Sequence, residues 1–152
     1  MMNHTEGMLH DKNNACIYHQ AWLPDGAAKA VLLVVHGLGE HSGRYMNVVN
    51  HFVPLGYAVY ALDHIGHGKS EGIREYVERF EDYTDTLTLF YNQVQGWQPG
   101  KPIFLLGHSM GGLISRYYID RLMGDEGVGQ LIMLGSPMAG SDCAKLPAAL
   151  GY

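Results

Sequence analysis

The chain has 152 residues, 47% of them hydrophobic and 16% charged, which is one domain's worth of sequence and too apolar for a disordered segment. The formal net charge is -5 and the ten Lys and Arg are scattered, which excludes a nucleic-acid surface built from clustered cations. The longest apolar run is residues 30–35, far short of the roughly 20 residues a membrane helix needs, so no transmembrane segment is expected.

Residues 16–21 read as a first strand, followed by a turn at Pro24, Asp25 and Gly26. Four nearly continuous apolar runs follow at Val31–Val35, Ala58–Leu62, 103–106 and 130–134. Continuous rather than alternating apolar sequence marks strands covered on both faces, as in a parallel sheet. Between the runs the period changes. Residues 45–53 form a short helical segment ending at Pro54. In 80–97, the residues Phe80, Tyr83, Leu87, Phe90, Val94 and Trp97 recur at spacings of three and four and define one helical stripe, ended by Pro99 and Gly100. A third helix is expected over 111–123, with Leu113 and Tyr117 paired and Ile114, Tyr118 and Leu122 on the same face. Strands alternating with helices predict an α/β fold with a doubly wound, mostly parallel sheet, in a single domain over 1–152.

Glycines cluster just after the apolar runs, where a backbone turns sharply or approaches a ligand. Gly107-His108-Ser109-Met110-Gly111, followed by Gly112, fits Gly-x-Ser-x-Gly between a strand and a helix. This context suits a nucleophile elbow, in which small neighbours let the chain fold back and push the serine hydroxyl outward. The plain alternative is a glycine-rich turn. At the tip of Val31–Val35 stands His36-Gly37-Leu38-Gly39. Beside an elbow, such a loop supplies one oxyanion-hole amide, and the residue after the nucleophile supplies the other. That pairing selects the amides of Leu38 and Met110, with Ser109 as nucleophile. Otherwise His36 is a hydrogen-bonded loop residue. Asp63, His64 and His67 carry metal-ligand chemistry, but no further cluster completes a zinc shell, so a structural loop and no metal are expected. Glu71, Arg74, Glu75, Glu78, Arg79, Glu81 and Asp82 mix both signs and read as a solvated face. Cys16 and Cys143 make no disulfide framework, and the opening MMNHTEGMLH has no apolar signal core, so a reduced cytoplasmic location is expected.

The strings HGLGEHSGRY (36–45), LDHIGHGKSEG (62–72) and GHSMGG (107–112), in this order, resemble the monoacylglycerol lipase and lysophospholipase group of α/β-hydrolases, also called the serine aminopeptidase S33 or hydrolase 4 type. The opening from Thr5 to Trp22 is similar too, and the resemblance runs to about residue 120. It implies ester hydrolysis of a single-chain lipid through an acyl-enzyme on Ser109, with no metal or organic cofactor. The loop Leu134-Gly135-Ser136-Pro137-Met138-Ala139-Gly140-Ser141-Asp142 departs from the group and looks more like that of other bacterial lipases, which widens the expectation to esterases and lipases generally.

A larger departure concerns the base. In this fold the order is Ser, then Asp or Glu, then His. Nine histidines are present and none follows Ser109. The expectation is therefore a hydrolase fold ending after about its sixth strand, without the cap, acid and histidine regions, and weakly active alone. Asp142 stands where some lipases place the acid. His108, His41 and His67 are the weaker candidates for a substitute base. Strand 130–134 is expected to leave an apolar edge that oligomerises or aggregates. Leu38, Met46, Met110, Met138 and Leu146 form an apolar stock for an acyl pocket. Two other functions stay open: an aminopeptidase or other serine acyl hydrolase, and a catalytically impaired remnant that binds a partner or hydrophobic ligand.

Overall fold

A computed structural model describes residues 2–123 and 128–140. Six strands form one sheet in the order β1-β2-β4-β3-β5-β6: β1 (Asn3–His10), β2 (Cys16–Leu23), β3 (Val31–Val35), β4 (Ala58–Leu62), β5 (Ile103–His108) and β6 (Val128–Leu134). From β4 to β6 all pairings are parallel, while β1 and β2 join antiparallel at one edge. The expected mostly parallel α/β sheet is present.

The central strand explains the continuous apolar runs. Every residue of Val31–Val35 is buried, and side chains alternate between faces. Val31, Leu33 and Val35 enter one hydrophobic layer with Leu87, Phe90, Val94, Ile114 and Tyr118. These come from α2 (Glu81–Trp97) and α3 (Met110–Tyr118). Leu32 and Val34 enter a second layer with Val49, from α1 (Met46–Phe52). Helices therefore cover both faces of the sheet.

Three elements depart most from the sequence reading. β1 was not expected, because Asn3–His10 is largely polar and exposed with no apolar alternation. Its pairing is set by the turn, where the Asp11 carboxylate accepts the amides of Asn13 and Ala15, each at 2.8 Å. The helix expected over 45–53 is shorter, Met46–Phe52, and flanked by two 3-10 turns, the second of which, Val53–Leu55, contains Pro54. The helix expected to reach residue 123 changes at Ile119 to a π turn over Ile119–Met123. The α2 stripe holds in its middle, but Phe80 and Trp97 at its ends are exposed.

The long connection after β4 is tied from within. Asp63 accepts the backbone amides of Ser42 at 2.6 Å and Lys69 at 2.8 Å. The Arg74 guanidinium donates to the carbonyls of Gly68, Ser70 and Gly72. Of the charged group expected to face solvent, Glu71, Arg74, Glu75, Glu78 and Arg79 are exposed, whereas Glu81 and Asp82 are half-buried. Asp142, Cys143 and Leu146 lie outside the described residues.

Candidate active site

The tips of β3 and β5 lie side by side, because these strands pair in parallel from Val31↔Ile103 to Val35↔Gly107. The loops leaving them therefore meet. At the β5 tip, Ser109 has φ 52° and ψ −121°, a left-handed conformation that costs a residue with a Cβ of order 1–3 kcal/mol. The turn closes with the Ser109 amide donating to the Leu134 carbonyl of β6 at 2.9 Å, and Gly112 donating to the Ser109 carbonyl at 3.1 Å. Ser109 is half-buried.

Packing accounts for the glycines of the motif. A Cβ on Gly107 would come within 2.5 Å of Gly112 Cα, and one on Gly111 within 2.7 Å of the His36 carbonyl. One on Gly112 would strike Ser136. The turn thus folds back on α3, and α3 starts directly against the end of β3. Met110 is the first residue of α3, where an amide has no acceptor within the helix.

The loop after β3 reaches the same place. A Cβ on Gly37 would stand 3.0 Å from Ser109 Cβ and 3.2 Å from the His108 carbonyl. Leu38, one residue further on, is exposed. His36 is fully buried and holds this loop from below. Its Nε2 accepts the His64 amide at 2.9 Å, and its Nδ1 lies 2.7 Å from the Gly37 carbonyl, to which it donates. Burial drives the His36 pKa down to about 4, only partly offset by that carbonyl. His64 Nε2 in turn bonds the His36 carbonyl at 3.2 Å, and burial lowers the His64 pKa well below the ordinary value. His67 lies beside them, its ring tilted 54° to that of His36 and its Nδ1 3.1 Å from the Ile65 carbonyl. Asp63 and both His36 ring nitrogens are used in holding these loops, whereas His64 Nδ1 and His67 Nε2 are buried without a hydrogen-bond partner.

Sequence reasoning passed over Glu40. Its Oε2 accepts the Gly37 amide at 3.0 Å, the Tyr45 hydroxyl at 2.8 Å and His108 Nδ1 at 2.8 Å. Arg44 stands 3.6 Å from its other oxygen. Burial pushes the Glu40 pKa up, but the three donors outweigh it and hold it at about 2. The His108 ring, adjacent to Ser109 in sequence, therefore turns onto Glu40. The available signal was an acid inside the HGLGEHSGRY string, three residues after Gly37 and followed by Tyr45.

The apolar stock divides. Leu38, Met46 and Met138 are exposed, and Met110 packs partly into the core. Met138 lines a shallow cavity of about 320 Å³ with Phe80, Leu113 and Tyr117. A larger cavity of about 450 Å³ lies between the β1–β2 turn and α2; Lys12 and Asp85, which line it, are paired with each other.

The sequence profile of the family described as serine aminopeptidase, S33 matches residues 26–150. The chain belongs to this family. The chain is 43% identical over 99 residues to a monoglyceride lipase of Homo sapiens, covering 65% of the chain and 33% of that protein. It is 37% identical over 109 residues to a monoacylglycerol lipase of Mycolicibacterium smegmatis, covering 72% and 39%. The S33 chain also superimposes on a thermostable carboxyl esterase from Bacillus coagulans, crystallised with glycerol, with a TM-score of 0.83 and 28% identity, over 99% of this chain and 50% of the esterase. It thus spans between a third and two fifths of those curated relatives and half of that esterase. The α/β-hydrolase fold expected from the three motifs is shown by these matches.

Proposed function

We propose that this protein is a serine hydrolase of carboxylic esters, of the monoacylglycerol lipase kind, acting through an acyl-enzyme on Ser109. The observation that carries the reading is the meeting of two loops: Ser109 on a left-handed strand-to-helix turn, with the backbone of Gly37 against its Cβ. Ser109 Oγ would attack the acyl carbonyl and form a C–O bond while its proton passes to a base. The amides of Leu38 and Met110 would receive the oxyanion, and Gly107, Gly111 and Gly112 give the turn its room. The alcohol would leave with a proton, and water would release the acid and restore the hydroxyl.

In this fold the acid and histidine follow the nucleophile in the chain, whereas all nine histidines here precede Ser109. We take residues 1–152 as one α/β-hydrolase domain that carries the elbow and the loop after β3. A cytoplasmic setting and a small lipid or ester substrate fit this reading. No helix among the described residues is long and apolar enough to cross a membrane.

A second reading, a hydrolase-like chain that binds its ligand and turns it over slowly or not at all, is favoured by the nearby histidines. His36 and His64 are held by backbone groups, and His108 is held by Glu40. A fluorophosphonate probe separates the two. Ser109-dependent labelling, absent in Ser109→Ala, is expected for the hydrolase. With triad members missing, turnover of a p-nitrophenyl ester should stay near a residual 10³–10⁴-fold over water, to within about a factor of ten. A folded chain that never labels would leave only the second reading.

A further inference from the structure

We propose that Glu40 is a positioning residue: its carboxylate pins the loop after β3 to the elbow after β5 and dedicates the Gly37 amide to that link. The inference rests on the reading of Ser109 as nucleophile. One oxygen, Glu40 Oε2, receives donors from three places: Gly37 in its own loop, Tyr45 at the entry to α1, and His108, which is 68 residues away in sequence. A Cβ on Gly37 would lie 3.2 Å from that oxygen and 3.0 Å from Ser109 Cβ. The carboxylate therefore sits at the seam where the two loops touch.

The chemistry of such a placement is unusual. An anion next to an oxyanion site repels the charge that forms there, and burying it costs desolvation free energy. A neutral side chain would fill the space without either cost. What the carboxylate adds is geometry, because three charge-assisted hydrogen bonds to one atom fix three segments relative to one another. The Gly37 amide, once given to Glu40, is withdrawn from the substrate, so the next amide, that of Leu38, becomes the loop's donor. The His108 ring is drawn aside by the same atom, which keeps it from folding over the Ser109 hydroxyl. Arg44 and the three donors offset the negative charge that the link introduces.

The test compares wild type with Glu40→Ala and Glu40→Gln in two readouts: the second-order rate of Ser109 labelling by a fluorophosphonate, and the exchange rate of the Gly37 amide proton by NMR. Glu40→Ala should slow labelling by about 10–100-fold, the scale of a displacement of about 1 Å in a reacting group. It should also speed Gly37 exchange at least about tenfold, as expected when a hydrogen bond worth about 1.4 kcal/mol is lost. Glu40→Gln, whose amide oxygen can still accept from Gly37, should fall between. Val49→Ala, a core change under α1 chosen for a matched loss of melting temperature, should label close to the wild-type rate. The proposal is overturned if either readout stays at the wild-type value in Glu40→Ala, or if Val49→Ala slows labelling equally. Should Glu40→Ala not fold, Glu40→Gln and Tyr45→Phe carry the same comparison. If the wild-type chain itself never labels, the nucleophile reading fails, and the exchange of Gly37 still decides the link.

Discussion

Ser109 carries a backbone conformation that its own side chain disfavours, and nothing on the side chain compensates, since its hydroxyl makes no capping bond to α3. The strain lives in the contact between Cβ and the turn, so removing Cβ should relieve it. Ser109→Gly is expected to stabilise the fold by about 1 kcal/mol, which for a chain of this size raises the melting temperature by about 3 °C. Ser109→Ala keeps the Cβ and should leave the melting temperature near that of wild type. Calorimetry of the two variants checks this, and equal melting temperatures would mean that the turn stores no strain. The elbow is legible in sequence because its demands are steric: each glycine stands where a Cβ would meet backbone or Ser136. Glu40 is not legible in the same way. Its partners at Tyr45 and Gly37 are local, but the third, His108, is brought to it only by the β3–β5 pairing.

The loops leaving strands β3 and β4 carry His36 and His64, and these two rings make the element ends sensitive to acid. Both have folded-state pKa values below the ordinary 6.5 because burial penalises the charged ring, His36 at about 4. The unfolded chain therefore binds more protons than the native one between about pH 4 and 6.5, and stability rises with pH across that window. It is fully present above 6.5 and is lost as pH falls toward 4. His36 alone accounts for about 3 kcal/mol over the window. Urea midpoints measured at pH 7 and pH 4.5 should show the loss; an unchanged midpoint would mean that the rings accept protons without cost. At this scale the sequence displays strands β3 to β5 and the middle of α2 because their burial is two-sided or periodic. It hides β1, whose residues are polar and held by a neighbour, and the π turn at Ile119, where the apolar spacing continues although the helical winding does not.

Across the whole molecule, the two edges of the described sheet differ. The β1 edge is polar, whereas β6 pairs with β5 on one side and exposes Ile132, Met133 and Leu134. Leu131, expected to be uncovered with them, is half-buried. Apolar edges associate. Light scattering on the chain should report species larger than a monomer, and Ile132→Lys with Leu134→Lys should shift it toward the monomer; a monomeric wild type would show that the edge is benign. The internal ties of residues 63–80 have a different consequence. Asp63 and Arg74 consume carbonyls and amides that an ordinary surface connection leaves to water. Its length advertises a site for grafting foreign sequence, yet any insertion there would unlace the frame beneath the loop after β3. The exposed bend at Gly26, with open space around it, is where new termini or a fused tag would disturb the protein least.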